Sequence, residues 1–314
     1  MNSLGTIGNA PTRGRVGDGR VLDLPDGADL VALAKPRITA MVVATFAGGY
    51  YLAADRPAEI WRAVFALVGT VLVVAAANAL NMYLERDVDG LMARTRNRPL
   101  PSNRLGPEVA LGLGLGCVSA STPFLYLGGG GLTCLLGLIA FALYVFAYTP
   151  LKRVTWLALF VGAVPGALPP LMGWVAATGR ITGAGLALFA VLFAWQIPHF
   201  LAIAGFREAD YGRAGLKVLS GERRPALVRG WAVAGVLVTL FASLALGLTA
   251  GSGLLYAVAA TGLGAWFLGR AVRQPREVAL AVWAKRLFIV SLFYLTGLFV
   301  ALLVDLVVAR TLLS

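Results

Sequence analysis

The 314-residue sequence is poor in charged residues, and this scarcity decides the class of protein. Only 13% of its residues are Asp, Glu, Lys or Arg, whereas 59% are hydrophobic, and the mean hydropathy is +0.79. A soluble globular domain carries about a quarter of its residues as charges. The composition therefore excludes a soluble domain and indicates a chain that lies largely within a lipid bilayer.

Residues that often carry catalysis or cross-links are also scarce. The chain has one histidine and two cysteines, Cys117 and Cys134, which lie in apolar runs and lack metal-ligand spacing. We therefore expect no disulfide and no thiol-bound metal, and no activated serine or cysteine nucleophile is evident. Strand-like alternation is absent, which disfavours a barrel, and residues 1–30 contain no apolar core of signal-peptide length.

Long apolar runs, by contrast, are abundant, and several are near the roughly 20 residues that span a bilayer as a helix. We predict an all-α fold, a polytopic membrane bundle of about nine transmembrane helices. A flexible cytoplasmic tail is expected at 1–32 and a transmembrane domain at 33–314. The predicted spans are 37–54, 61–84, 108–127, 131–149, 156–176, 182–205, 228–249, 252–270 and 287–308.

The net charge of +12 has a one-sided distribution. If the N-terminus is cytoplasmic, 23 of the 27 lysines and arginines fall on the cytoplasmic side of the nine spans. The positive-inside rule then predicts a protein of the cell (inner) membrane whose C-terminus lies outside. The basic excess is thus a signal of topology, with the lipid bilayer as partner, and does not indicate nucleic-acid binding.

One polar stripe interrupts the end of the second span. Asn81, Glu85 and Asp89 are spaced four apart, so on a helix they share one face. Asn78 falls on the same stripe, whereas Asp87 points roughly the opposite way. Carboxylates at the end of a membrane helix are costly unless something compensates them, and Mg²⁺ is the natural partner. The alternative is a helix end whose charges are simply solvated.

Basic residues follow this stripe at once, with five arginines within residues 86–104. The five are Arg86, Arg94, Arg96, Arg98 and Arg104. Carboxylates, magnesium and guanidinium groups together favour a diphosphate ligand over a solvated helix end. Lys152 and Arg153, which follow the fourth span, are predicted on the same side of the membrane, although they could serve only to orient the chain.

Three further charges lie near the ends of spans. Lys35 and Arg37 begin the first span, where they either contact lipid headgroups or share in phosphate binding. Asp305 lies near the outer end of the last span, and we expect it to face water.

The sixth span contains the only histidine, in the stretch FAWQIPHFLAIAGFREADYGRAGLK. If its helix continues past the apolar run, His199, Ile203, Phe206 and Asp210 share one face. His199 is either a hydrogen-bonded structural residue or a ligand. Asp210 ends this segment on the cytoplasmic side, so two acidic helix ends are predicted to converge on one face of the membrane.

These stretches resemble the UbiA superfamily of intramembrane prenyltransferases and, within it, the haem o synthases (protohaem IX farnesyltransferases). The likeness runs from LAKPRIT at 33–39 to FVALLVD at 299–305. Its most specific parts are NMYLERDVDGLMARTRNRPL, YTPLKRVTWLALFVGAVPGALPPLMGW and WQIPHFLAIAGFREADYGRAG. The superfamily's first motif, Asn-x3-Asp-x3-Asp, corresponds to Asn81, Glu85 and Asp89, with glutamate in place of the middle aspartate.

The resemblance implies a Mg²⁺-dependent transfer of a farnesyl group from farnesyl diphosphate to a vinyl group of haem b. Water supplies a new hydroxyl, diphosphate leaves, and a haem a synthase or a terminal oxidase assembly factor is the implied protein partner. The implied metal ligands are Asn81, Glu85, Asp89 and Asp210, and the implied diphosphate ligands are Arg94, Arg98, Lys152 and Arg153. His199 is implied to face haem, as an iron ligand or as the partner of a propionate.

Two other functions stay open at this point. The acceptor could instead be 4-hydroxybenzoate, a quinone precursor or chlorophyllide, because fold-level likeness does not determine the acceptor. A transporter with intramembrane acidic residues is the alternative from another class. Transporters usually place such groups near the middle of the bilayer, whereas these acids lie at the ends of spans beside arginines.

Overall fold

In a computed structural model, which describes residues 26–54, 60–219, 224–273 and 279–313, every regular element of the described part is a helix. The α-helices are α1 (Gly27–Leu33), α2 (Pro36–Ala53), α3 (Ile60–Asp89), α4 (Pro107–Ala142), α5 (Thr149–Leu151), α6 (Ala158–Thr178), α7 (Gly183–Phe206), α8 (Glu208–Arg213), α9 (Pro225–Ala250), α10 (Leu254–Val272) and α11 (Leu280–Leu313). A π-helix, Leu143–Tyr148, joins α4 to α5.

By length and composition, seven described segments can cross a membrane, and the bent pair α1–α2 makes an eighth. The seven include residues 107–151 as a single segment of 45 residues. This segment reverses direction at Gly130, whose φ of 77° and ψ of 177° lie outside the helical region. Cys134 Sγ then lies 3.7 Å from Thr122 O, whereas residues 12 apart on one helix would be about 18 Å apart. The segment therefore forms two spans, and the described residues contain the nine that the sequence predicts.

The two cysteines on these spans are both free thiols, so the expectation of no disulfide is confirmed.

Helices α2 and α6 pack backbone against backbone. A Cβ built on Gly49 would lie 2.0 Å from Pro170 O, and one built on Gly173 would lie 2.0 Å from Phe46 O. Small residues permit such close approach in membrane bundles, where apolar burial gives helices little reason to associate. This contact places α6, with its three prolines, in the middle of the bundle beside α7.

The second half of the chain, α7 and α9 to α11, has its own buried core with polar cross-links. Trp195 Nε1 donates to Ser291 O (2.7 Å), and the hydroxyls of Ser243 and Tyr294 are 2.7 Å apart. Asp305 is buried here, and its carboxylate accepts from the backbone N–H groups of Gly253 (2.5 Å) and Tyr256 (3.3 Å). The expectation that Asp305 faces water is therefore wrong, because it caps the otherwise unpaired N-terminus of α10.

The expected boundary of the flexible tail, at 32/33, falls inside helix α1. Asp26 caps this helix by accepting from Ala28 N (3.0 Å), and Leu33 is fully buried. Asp29 pairs with Arg104 (2.9 Å) in the loop after α3. The apolar and ionic contacts of 27–33 thus hold the segment on the bundle, and the rest of the expected tail, 1–25, lies outside the described residues.

We predict that Gly173→Ala destabilises the protein by about 1–3 kcal/mol, because the added methyl group meets the backbone of α2. The measurement is the thermal unfolding midpoint of the detergent-purified protein. Gly116→Ala on α4 is the matched control, since a Cβ there meets nothing within 4 Å and alanine favours the helix. An unchanged midpoint for Gly173→Ala would contradict the backbone contact between α2 and α6.

Candidate active site at the end of helix α3

The polar stripe of α3 is buried at one end of the bundle. Asn78, Asn81, Glu85 and Asp89 each expose between 1% and 4% of their surface, whereas Asp87 is exposed. Because α3 remains helical to Asp89, the prediction of one shared face is confirmed. Burial also excludes the alternative of a helix end whose charges are solvated.

Asn81 is the centre of the hydrogen-bond network. Its Oδ1 accepts from Lys35 Nζ (2.9 Å), and its Nδ2 donates to Glu85 Oε2 (2.9 Å) and to Thr149 Oγ1 (3.2 Å). The network uses both amide protons, so the amide oxygen is directed toward the lysine. Asn81 therefore connects α3 to the start of α2 and to the end of the fourth span.

Glu85 forms an ion pair with Lys152, which follows α5. The buried Glu85 Oε1 contacts the Lys152 ammonium and has no other partner among the described residues. The ammonium also lies 5.1 Å from the centre of the Tyr148 ring. Burial alone lowers the pKa of Lys152, but the neighbouring Tyr148 and Glu85 outweigh it and raise the pKa, which keeps the ammonium charged.

The π-helix accounts for the position of Thr149. Its backbone N–H and its hydroxyl (2.8 Å) both bond to Tyr144 O, five residues earlier. A π-turn of this kind is often found at functional sites. These two bonds to Tyr144 O leave the Thr149 hydroxyl oxygen facing Asn81, whose Nδ2 donates to it.

Asp89 pairs with Arg98 from the loop that follows α3. Arg98 Nη1 lies 2.6 Å from Asp89 Oδ2. Thr95 Oγ1 donates to Asp89 O (2.7 Å), and Ser102 Oγ donates to Arg98 O (2.7 Å). These local bonds turn the loop back over the end of α3, which is why an arginine nine residues away reaches the carboxylate.

Two of the four predicted diphosphate ligands do not contact the stripe. Arg153 binds the exposed Asp87 (2.9 and 3.1 Å) and Leu84 O (2.8 Å), on the opposite side of α3. Arg94 is exposed, and its charge acts on Tyr211, whose pKa is raised by burial and lowered in part by this guanidinium. Of the four predicted cations, only Arg98 and Lys152 therefore contact the carboxylates of the stripe.

Lys35 and Thr149 complete the site. The sequence left Lys35 open between contact with lipid headgroups and a share in phosphate binding, and it did not single out Thr149. Lys35 adopts φ 48°, a left-handed conformation, immediately before Pro36, and this turn directs its side chain into the cluster, whereas Arg37 is exposed. The Lys-Pro pair at the start of a span was the only available signal for Lys35. Nothing in the sequence distinguished Thr149 from the other hydroxyl residues of the spans.

Helix α7 ends before Asp210, so the condition under which His199 and Asp210 would share one helical face is not met. The helix stops at Phe206, and Arg207 (φ −115°, ψ 13°) separates it from the short helix α8. Asp210 lies on α8, where Arg213 pairs with its carboxylate and Arg207 lies at 3.6 Å. The non-helical Arg207 interrupts the helical repeat on which the shared face depends.

Helix α8 and the residues after it nevertheless pack against the end of α3. Leu216 and Tyr211 belong to one apolar cluster with Val88 and Met92. Lys217 N also donates to Lys152 O (2.9 Å). The prediction that the acidic ends of the second and sixth spans lie at one end of the protein is therefore confirmed.

His199 is buried within an aromatic group. Its ring stacks on Trp195 with centroids 4.4 Å apart, and the Phe288 ring lies at 4.9 Å. His199 Nδ1 is 2.8 Å from Ser291 Oγ, whose own proton goes to Phe288 O (2.6 Å). Because the hydroxyl has one proton, Nδ1 must donate to it, and Nε2 carries the free lone pair.

The donor set of α3 fits a magnesium ion that is bound jointly with phosphate. Within the described residues, no three or more His, Cys, Asp or Glu side chains lie close enough together to hold a metal ion. Mg²⁺ is usually bound by one or two carboxylates plus the phosphates of a substrate. Glu85, Asp89 and the amide oxygen of Asn81 match that pattern, and Asp210 is not part of the same cluster.

Comparison with known proteins agrees with this architecture. Residues 41–304 match the UbiA prenyltransferase family. The chain is similar to the protoheme IX farnesyltransferase of Anaeromyxobacter dehalogenans (strain 2CP-C), with 48% identity over 276 residues, 87% of this chain and 92% of that protein. Further relatives with the same name are 37% to 48% identical.

Solved structures share the fold at low sequence identity. A structure of digeranylgeranylglyceryl phosphate synthase aligns with a TM-score of 0.76 and 14% identity, covering 88% of this chain and 97% of that one. A UbiA homolog from Archaeoglobus fulgidus bound to GPP and Mg²⁺ aligns with a TM-score of 0.62 and 15% identity, covering 87% and 99%. The chain belongs to the UbiA prenyltransferase family and is a multi-pass membrane enzyme that transfers prenyl groups.

Proposed function

We propose that the protein transfers a farnesyl group from farnesyl diphosphate to a vinyl group of haem b, with addition of water, giving haem o and diphosphate. The observation that carries the prenyl transfer is the buried stripe of α3, whose two carboxylates and one amide are surrounded by three cations. The acceptor is inferred from the relatives, which are named protoheme IX farnesyltransferases.

In this proposal the stripe holds the leaving group. Glu85, Asp89 and the amide oxygen of Asn81 would hold Mg²⁺, and Lys35, Arg98 and Lys152 would donate to the remaining diphosphate oxygens. When bound, Mg²⁺ would neutralise part of the charge that develops as the allylic C–O bond breaks. The fixed ammonium and guanidinium groups stabilise the same charge without reorganisation.

The acceptor needs no activated side chain. A vinyl carbon of haem b attacks C1 of the farnesyl group, the C–O bond breaks, and diphosphate leaves. Water then adds to the resulting cation and loses a proton, so that atoms and charge balance. Apolar residues next to the stripe, among them Leu80, Phe141 and Val145, keep other water away from the carbocation.

His199 is proposed to bind the haem substrate. Its Nε2 lone pair suits either an axial iron ligand or, if protonated, a propionate partner, and the Ser291 hydroxyl on Nδ1 orients the ring as a second partner does in metal sites. The aromatic rings around it offer flat apolar contacts for a porphyrin. Asp210, already paired with two arginines, remains a candidate for a second metal ion.

We further propose that the protein lies in the cell membrane with its N-terminus cytoplasmic and its C-terminus outside. Helix ends and loops at the predicted cytoplasmic end expose basic side chains for which no ion pair occurs among the described residues. They are Arg224, Arg229, Arg270, Arg273, Lys285 and Arg286. An excess of this kind is typical of cytoplasmic loops.

The test supplies membranes that contain the protein with haem b, farnesyl diphosphate and Mg²⁺, and analyses the extracted porphyrins by mass spectrometry. The expected product is the adduct of haem b with farnesyl and water, and EDTA should abolish it. Release of diphosphate without this adduct would support prenyltransferase activity but exclude haem b as the acceptor. Neither product from folded protein would contradict the proposal.

We predict that Asp89→Asn lowers kcat/KM by about 10²–10³-fold, because it removes a charged ligand from the leaving-group site. The rate of haem o formation is the measurement. Asp87→Asn is the matched control, two residues away on the exposed side of α3, and should keep activity near that of the parent. Equal losses in the two variants would contradict the assignment of the buried face.

We predict that His199→Phe weakens haem b binding by at least roughly tenfold while the affinity for farnesyl diphosphate stays unchanged. Phenylalanine keeps an aromatic ring against Trp195 but removes Nε2. Absorbance titration with haem b measures the first affinity, and competition with a labelled prenyl diphosphate measures the second. Parent-like haem binding by the variant would exclude His199 from the acceptor site.

A further inference from the structure

We propose that the stripe of α3 binds its metal ion only together with the diphosphate, because Arg98 and Lys152 act as internal counter-ions that must first be transferred from the carboxylates to the diphosphate. This inference rests on the proposed function, since it concerns the same site. It assigns the two cations a second role, which is to oppose the binding of metal alone.

Each of the three oxygen ligands already has a cation of the chain as its partner. Arg98 lies 2.6 Å from Asp89 Oδ2, Lys152 contacts Glu85 Oε1, and Lys35 Nζ lies 2.9 Å from Asn81 Oδ1. A metal ion that binds these side chains comes close to the same cations, and the positive charges repel one another at this short range. Competition between metal and protein cations is therefore part of the site.

The net charge of the site determines whether it favours a metal ion alone or a metal ion together with a diphosphate. The two carboxylates balance the charges of Arg98 and Lys152, and Lys35 adds at most one further positive charge. A divalent ion alone would therefore leave an excess of at least two positive charges in a buried place, where like charges interact strongly. A prenyl diphosphate carries about three negative charges near neutral pH, so its complex with one Mg²⁺ is close to minus one and neutralises the site.

Arg98 and Lys152 are positioned so that a diphosphate can replace the carboxylates as their partner. The side chains of Arg98 and Lys152 are 22% and 20% exposed, whereas those of their partners Asp89 and Glu85 are 2% and 5% exposed. The cations thus lie on the solvent side of the carboxylates, where a diphosphate arrives. Guanidinium and ammonium groups released from the carboxylates can then donate to phosphate oxygens.

The experiment measures metal binding without any substrate. Mn²⁺ serves as the ion, and its EPR signal reports the free concentration in titrations of the detergent-purified protein. The parent should bind Mn²⁺ weakly alone and at least about tenfold more tightly when farnesyl diphosphate is present. Arg98→Gln and Lys152→Met should each bind Mn²⁺ alone about tenfold more tightly than the parent, and should gain less from farnesyl diphosphate.

Two controls make the result specific to charge. Arg96→Gln removes an exposed arginine of the same loop and should leave the affinity for Mn²⁺ alone unchanged. Lys152→Arg keeps the charge and should also bind like the parent. A rise in Lys152→Arg equal to that in Lys152→Met would overturn the proposal, because the charge would not be the cause.

A thermal shift gives a second readout if a variant is unstable, since a carboxylate that loses its partner is costly. Mn²⁺ alone should raise the unfolding temperature of Arg98→Gln more than that of the parent. Unchanged or weaker metal binding in Arg98→Gln and Lys152→Met would overturn the inference, while haem o formation by the parent would still support the proposed function. Coupled binding of metal and diphosphate without haem o would support the inference and reject the acceptor.

Discussion

The pairing of buried carboxylates with cations at the end of α3 is the interaction on which the rest of the structure depends. Glu85 and Asp89 lie in a place that water hardly reaches, and an uncompensated charge there would be prohibitively costly. Lys152 and Arg98 remove that cost, and each must be brought from a different segment of the chain. The turns of the loop after α3 and the π-helix before α5 are the local structures that bring them.

Helix packing keeps these segments close to one another. The backbone contact of α2 with α6 sets the position of the N-terminal end of α2, from which Lys35 reaches Asn81. The reversal at Gly130 returns the chain beside α3, so that Thr149 and Lys152 follow at the correct end. In the second half, Asp305 and the Ser291 contacts join α11 to its neighbours and hold His199 in one orientation.

The arrangement also explains why one end of a membrane protein can be both strongly polar and largely buried. The polar side chains satisfy one another, and apolar clusters surround them, such as the one that Tyr211 and Leu216 form with Val88 and Met92. In the proposed function, a diphosphate that enters this end would meet a site of nearly balanced charge rather than a purely acidic one. In that function, a charged leaving group would therefore lie directly beside the apolar part of the helical bundle.

The sequence by itself determined the membrane class, the nine spans and the shared face of Asn81, Glu85 and Asp89, because hydropathy and a helical repeat are local properties. The tertiary structure alone decided which cations meet that face. Lys35 and Lys152 reach it and Arg153 does not, since a helix of 3.6 residues per turn directs Glu85 and Asp87 to opposite sides. It also decided that Asp305 caps α10 and that α7 ends before Asp210. These outcomes depend on contacts between residues far apart in the chain, which no local pattern encodes.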